Sequence, residues 1–258
     1  MLPCSEPDRP TSNRLVVYTA IFGEYDALHE PPAGLEGVDF ICFTNQKNVE
    51  STHWDVRHVG SPDLTNHMMN RRYKLLPHLY LGDYEKSLYV DANVLVIGDP
   101  RPLFEKYLAD HDMAVPKHPL RNCIYEEALA CLRTGKSGFT ETAAQMKQYK
   151  REGFPVEFGL AENNVILRNH NRENMIDLMN RWWNELNSQA QRDQLSLGYV
   201  LWTEGLAFNF MSENARNDSG FFKYQSHRPA FKFKKFVRKR ENRFIVKLKR
   251  LLRQEVFS

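Results

Sequence analysis

The sequence predicts an α/β fold built on one mixed, mostly parallel sheet. Short apolar strands recur from Leu15 onward, stretches with one apolar helical face lie between them, and an acid, Asp91, stands at the carboxyl end of one strand. Strands alternating with helices let both faces of a sheet be buried. At 258 residues, 42% of them hydrophobic, the chain suffices for one domain with a sizeable core.

Residues 15–22 (LVVYTAIF) are β-branched and aromatic and stop at Gly23, the mark of a buried first strand. Val38–Thr44 (VDFICFT) is the second strand and residues 54–59 a weaker third. Over residues 66–81, Met68, Met69, Leu75, Leu76 and Leu79 share one helical face, and Pro77 predicts a break within it. Residues 87–90 form a strand that runs into Asp91-Ala92-Asn93, and residues 94–97 read as its resumption. Asp99-Pro100 caps a short helix that ends at Tyr107. Met113–Pro116 and residues 165–167 read as strands; residues 126–133, 140–151, 173–186 and 194–203 read as helices, the last capped by Asp193.

The charge is divided. Residues 227–258 hold twelve Lys and Arg against two Glu, a local +10 within a net +3, which leaves −7 on the preceding 226 residues. In that tail Val237, Phe244, Ile245, Leu248, Leu251 and Leu252 fall on one side of a helix, with basic residues over much of the rest. The pattern is that of a helix lying on an anionic membrane surface. A helix packed on the domain's own surface and a nucleic-acid-binding tail share the pattern, but no recognised nucleic-acid motif accompanies it, so no nucleic-acid partner is expected. The organisation expected is a flexible lead over 1–13, a domain over 14–230 and a basic amphipathic tail over 231–258.

No apolar run approaches the ~18 residues of a membrane span, and the lead has no apolar h-region. Cys4, Cys42, Cys123 and Cys131 have no paired C-x-x-C spacing, which argues against structural zinc. Low cysteine usage suits a reducing cytoplasm, and with the tail it predicts a peripheral protein at the inner face of the membrane. The alternative is the lumenal catalytic domain of a truncated eukaryotic enzyme.

The chemistry centres on Asp91-Ala92-Asn93. Ligands of open α/β sheets bind beyond the carboxyl ends of the strands, and alternate residues of an extended chain point the same way. Asp91 and Asn93 can therefore offer two oxygens to one hard cation. Asp and Asn also favour turns, and the triplet taken alone is better read as a strand-ending turn.

Wider matches bear on that choice. VYTAIFGEYD from Val17, DFICFT from Asp39, Arg72-Tyr73-Lys74 with Leu76-Pro77-His78, and Ser87 through Val94 come first. Lys117-His118-Pro119, CIYEE from Cys123, GLAEN from Gly159 and RDQLS from Arg192 follow in order. With these segments the chain resembles a family of glycosyltransferase-like domains known from plants, with members linked to ceramidase activity and mucilage synthesis, and from bacteria. More distantly it resembles the glycogenin and galactosyltransferase group. The resemblance implies a single GT-A (Rossmann-like) domain that binds a nucleotide sugar, a UDP-sugar above all, with Mn2+ or Mg2+, and passes the sugar to a glycan or glycolipid acceptor in polysaccharide or envelope glycoconjugate synthesis.

Residue by residue, the resemblance places Thr19, Ala20, Phe22, Gly23 and Tyr25 under the nucleotide and Arg72 and Lys74 near its phosphates, Arg72 being favoured over Arg71. It places Lys117, His118 and Glu126 on the sugar or acceptor side, Glu162 and Asn163 at sugar hydroxyls, and Asp193 and Gln194 beside the sugar. Asp91, Asn93 and the late His227 are the implied metal ligands. Asn93 stands where the distant group has a second Asp, which lowers the charge offered to the ion. An inverting route needs a base, for which Glu126, Glu127, Glu162 and Asp193 are candidates; a retaining route does not need it in the same place. The bland readings of the same residues are a glycine turn, a solvated basic helix face, first-turn acids that favour the helix dipole, an N-cap and a surface histidine. Two other functions fit the pattern: a non-catalytic glycan- or membrane-binding module with a degenerate donor site, and a nucleotidyltransferase. ACLRTGKS, from Ala130, imitates a phosphate-binding loop, but a helix precedes it and Gly135 has the place of a C-cap.

Overall fold

The computed structural model describes residues 14–24, 26–226 and 233–251, with side chains given for 236–247 in the last stretch. Nine strands are found among these residues: β1 Leu15–Ile21, β2 Val38–Thr44, β3 Asp55–His58, β4 Lys86–Val90, β5 Val94–Val96, β6 Met113–Pro116, β7 Val165–Arg168, β8 Asn209–Met211 and β9 Phe222–Tyr224. Seven make one sheet in the order β3-β2-β1-β4-β7-β6-β8, in which β7 alone runs against its neighbours. This is the mixed, mostly parallel sheet that the sequence predicts, in a GT-A-like layout. The helices are α1 Asn66–Leu75, α2 Arg101–Tyr107, α3 Ile124–Thr134, α4 Phe139–Arg151, α5 Glu173–Ser188, α6 Leu197–Glu204 and α7 Phe233–Leu251.

Two apolar layers cover the sheet. Alternation along β1 and β4 sends Tyr18 and Tyr89 to one layer, with Trp182 of α5 and Tyr149 of α4, and sends Val17, Leu88 and Val90 to the other, with Phe104 of α2. The Tyr18 and Tyr89 rings meet edge to face at 5.2 Å. Cys42 is fully buried in the second layer, as a small hydrophobe should be. No helix among the described residues is long and apolar enough to cross a membrane.

α1 begins where Thr65 Oγ1 accepts from Met68 N and stops before Pro77, after which one 3-10 turn, Pro77–Leu79, carries the chain on. The expected break is therefore where proline puts it. Gly135, at φ 70°, closes α3 as its C-cap, so the phosphate-loop lookalike is a helix end.

Two expectations need correction. The strand after Asn93 does not rejoin the sheet. A turn in which Val94 N donates to Asp91 O (2.8 Å) redirects it, and β5 pairs with β9 as a separate antiparallel ribbon. The helix expected over 194–203 is divided into a 3-10 turn, Asp193–Leu195, and α6. Asp193 makes no side-chain cap there, because its carboxylate is spent elsewhere. At three residues each, β8 and β9 are too short for alternation to reveal.

The ribbon approaches the loop beside it so closely that only glycine fits. A Cβ on Gly98 would lie 2.4 Å from the backbone oxygen of Gly220, and backbone cannot rotate away. Gly98→Ala is expected to destabilise the fold by about 1–3 kcal/mol, the usual cost of overpacking, and to lower the melting temperature by several degrees. An unchanged melting curve would refute so close an approach.

Candidate active site

The site forms beyond the carboxyl ends of β1 and β4. Asp91 ends β4, its backbone N donating to Asn164 O at 2.8 Å, and its side chain is about one third exposed (31%). Its Oδ1 accepts from Lys74 Nζ (3.1 Å) and from the Tyr89 hydroxyl (2.9 Å). Lys74 lies in the last turn of α1, where its carbonyl accepts from the Tyr18 hydroxyl (3.0 Å) and from Arg168 Nη2 (2.8 Å). Arg168 is itself fully buried and also donates to Tyr18. Two buried side chains thus fix the backbone from which Lys74 reaches the site.

Lys74 Nζ bonds a second carboxylate, Asp193 Oδ2, at 2.7 Å, and Arg71 Nη2 lies 3.4 Å from Asp193 Oδ1. Lys74 and Asp193 are nearly inaccessible, at 1% and 5% side-chain exposure. Burial alone would raise the Asp193 pKa, but the charges of Arg71, Lys74 and Arg192 outweigh it and hold the carboxyl well below the usual range. Three cations gather around two carboxylates, an excess of positive charge suited to an anion. The preference for Arg72 is corrected: residues 71 and 74 are i and i+3 on α1 and share a face, whereas Arg72 is turned away from it. Helical spacing from Lys74 was the signal that could have found Arg71.

The next wall is the segment after Gly159. His118 N donates to Leu160 O and Glu162 N to Pro116 O, both at 2.8 Å, which zips residues 160–162 along 116–118. Glu162, Asn163 and Asn164 are buried there. Glu162 Oε1 accepts from Arg216 Nε at 2.5 Å, a partner that nothing in the sequence singles out. Glu162 Oε2, both polar atoms of the Asn163 amide and both of Asn164 have no hydrogen-bond partner. Buried polar atoms are rarely left so, and a cluster of them is a place for a polar ligand. Gln194 Nε2 donates to Ala161 O (3.2 Å), so it supports this segment.

His118 is buried, and its Nδ1 accepts from the backbone N of Leu120 and Arg121 at 3.2 and 3.0 Å. Burial lowers its pKa, which keeps the ring neutral. Lys117 is exposed. Glu126 is corrected: it points to solvent, and Glu127 beside it turns inward, 1% exposed, to accept from Arg121 Nε at 2.6 Å. Adjacent helical residues point about 100° apart, so only one of the pair can face inward.

At the end of β1, Thr19 is buried with Val17 and Ile21 on the second-layer side, and Ala20 O accepts from Asn70 Nδ2 at 2.6 Å. Phe22 is a core residue whose side chain stacks on Tyr73 (5.5 Å), which leaves its backbone as the part that lies at the strand end. Gly23, at φ 68°, donates to Asn45 Oδ1 at 2.8 Å, and its carbonyl accepts from Gln46 Nε2. A Cβ there would meet Asn66 Nδ2 at 2.6 Å. Tyr25 and His227 lie outside the described residues.

Asn93 is buried, and its Nδ2 donates to Gln225 O (3.0 Å) while its own carbonyl accepts from Gln225 N (2.8 Å). These two bonds tie the chain two residues before His227 to the Asp91-Ala92-Asn93 triplet. Among the described residues no three His, Cys, Asp or Glu gather as a metal site. One carboxylate and one amide oxygen suit a hard cation that a substrate's own phosphates help to hold.

Removing the Asp193 charge tests this wiring. Asp193→Asn leaves Lys74 and Arg71 short of a counter-ion, at an expected cost of roughly 3 kcal/mol. The depressed Asp193 pKa contributes stability that is fully present above the unfolded-state value of about 4 and is lost as pH falls below it. The gap in stability between the two proteins should therefore be widest near neutral pH and shrink below about pH 4. A gap independent of pH would show that Asp193 is not held ionised.

A model of the TOD1/MUCI70 glycosyltransferase-like domain matches residues 6–219. The chain is 28% identical over 236 residues to alkaline ceramidase TOD1 of Arabidopsis thaliana, covering 77% of this chain and 51% of that protein. It is 29% identical over 215 residues to the probable hexosyltransferase MUCI70 of the same plant, covering 72% and 37%. It thus spans about half the length of one relative and less of the other. Similar solved structures include the bifunctional glycosyltransferase WbbM in its apo form, at TM-score 0.45, 10% identity and 93% and 45% coverage. The glycosyltransferase GlyE of Streptococcus pneumoniae matches at TM-score 0.43, 14% identity and 80% and 46% coverage. With the matched residues taking up most of its length, the chain belongs to the TOD1/MUCI70 glycosyltransferase-like domain family.

Proposed function

We propose that this chain transfers a sugar from a nucleoside diphosphate donor, a UDP-sugar, to a glycan or glycolipid acceptor. The observation that carries the reading is the junction at Asp91. A cation-rich cluster of Lys74, Arg71 and Arg192 adjoins the buried, unpartnered polar atoms of Glu162, Asn163 and Asn164. The first suits a diphosphate and the second the hydroxyls of a sugar. The family and the hexosyltransferase relative support the same chemistry.

Asp91 and Asn93, with His227, are the residues that would hold Mn2+ or Mg2+. Such an ion neutralises phosphate charge as the diphosphate leaves. The protein's own cations contribute to the same end. Lys74, fixed through its carbonyl by Arg168 and Tyr18, presents a positioned ammonium beside Asp91, and preorganised charge of this kind stabilises a departing anion without reorganisation. Asp193 orients Lys74 and Arg71; with its pKa depressed it is a poor proton acceptor, which speaks against it as the acceptor's base. Glu162 is the carboxylate with an oxygen still open among the sugar-side residues.

Asp91→Ala is expected to lower transfer from a UDP-sugar by roughly a hundredfold or more while the fold survives, since the residue sits at a strand end and outside the core. Asn93→Asp should keep or raise affinity for manganese, read from the metal dependence of donor hydrolysis. Wild-type turnover by Asp91→Ala would remove the assignment. A UDP-sugar at about a hundred times its dissociation constant should add about 2.7 kcal/mol of stability, more with manganese. No thermal shift with any nucleotide sugar, together with ceramide cleavage that needs no donor, would replace sugar transfer by amide hydrolysis.

A further inference from the structure

α7 packs on α3 through one narrow stripe. Asn242, 3% exposed, donates both Nδ2 hydrogens, to Leu132 O at 3.1 Å and to Ser137 O at 2.9 Å, and Val246 is buried one turn on. Positions 242 and 246 share a side of the helix, so Val237 and Phe244 point almost directly away from it, flanked by Phe236, Arg240, Arg243 and Lys247. Phe236 is 54% exposed, Val237 39% and Phe244 69%. Arg240 lies over the Phe236 ring, 5.9 Å from its centroid. Over Phe233–Leu251 the helix has nine Lys and Arg against one Glu. Among the described residues, none of Arg238, Lys239, Arg240, Arg243 and Lys247 forms an ion pair with the domain. The helix is thus docked by a polar side chain while Phe236 and Phe244 face solvent together with Arg240, Arg243 and Lys247.

We propose that this outward face of α7 seats the domain on an anionic lipid bilayer. Phe236, Val237 and Phe244 enter the boundary between headgroups and acyl chains, and Arg240, Arg243 and Lys247 pair with lipid phosphates. The apolar side chains decide between polyanions. Phosphates alone give them nothing to bury against, and single-stranded nucleic acid stacks on aromatics that line a groove, whereas these stand on the convex side of one helix. The charge of the rest of the chain agrees: at −7 over residues 1–226 it repels a polyanion that wraps the domain, while a flat bilayer need meet only the helix. Leu132, which α7 caps, is five residues from Glu127 on α3, about 7.5 Å along the helix axis. α7 is therefore docked on the helix that carries Glu127, and the inference does not rest on sugar transfer.

The test is sedimentation of the full chain with phosphatidylcholine vesicles that do or do not contain phosphatidylserine. Binding is expected only with phosphatidylserine, and it should weaken as salt rises. Phe236→Ser/Phe244→Ser and Arg240→Glu/Arg243→Glu should each weaken it at least about tenfold, and both should keep the parental melting temperature because all four residues face outward. Phe244→Ser and Arg243→Glu alone serve if a double variant does not fold. Absence of binding by the full chain, or undiminished binding by either variant, overturns the proposal. Undiminished binding by the phenylalanine variant, with a single-stranded oligonucleotide competing, would mark a nucleic-acid surface instead.

Discussion

The Lys74 ammonium between Asp91 and Asp193 is the interaction on which the rest of the site depends. It joins three parts of the chain far apart in sequence: the last turn of α1, the end of β4 and the 3-10 turn before α6. Taking such charges out of water costs several kcal/mol for each ion, and a well-packed apolar cluster would serve stability as well or better. What an apolar cluster cannot do is hold positive charge at a strand end where an anion would bind. Arg168 and Tyr18 reinforce this reading, since each donates a hydrogen bond to the carbonyl of Lys74.

The sheet and the ion cluster need one another. Parallel β1 and β4 bring their carboxyl ends to the same edge, and antiparallel β7 delivers the segment before it, Glu162 to Asn164, to that edge as well. A parallel β7 would have put this segment at the far end. The same reversal seats Arg168 at the other end of β7, beneath α1, where its guanidinium reaches Lys74. One change of strand direction thus supplies both the polar wall of the site and the buried cation that steadies its floor.

The outside of the molecule follows a different logic. The domain holds its own charges in local pairs such as Arg101 with Asp99 and Arg172 with Asp112. Pairs as exposed as these contribute little stability. Among the described residues, the basic side chains of α7 stay out of such pairs, and the helix is attached through Asn242 and Val246 instead. Attachment by a polar cap leaves the aromatic and cationic side chains together on the solvent face.

The sequence by itself determined most elements of the main sheet and its helices, and it singled out Asp91 at a strand end. Apolar runs rich in β-branched and aromatic residues marked β1, β2 and β4, Pro77 ended α1, Gly135 closed α3, and an acid stood out at the end of β4. These are local signals, set by backbone sterics and by which face a residue must bury. Tertiary structure decided what depends on neighbours distant in sequence. It chose Arg71 over Arg72 and Glu127 over Glu126, because which side of a helix faces the site is fixed only by what the helix packs against. It drew Asp193 away from capping, because two cations on α1 outbid a backbone N–H. It turned Phe22 into core against Tyr73, brought Arg168 and Arg216 to partners no spacing links them to, and gave the inner side of α7 to an asparagine, since amphipathic periodicity fixes that a helix has faces but not which of them the domain will take.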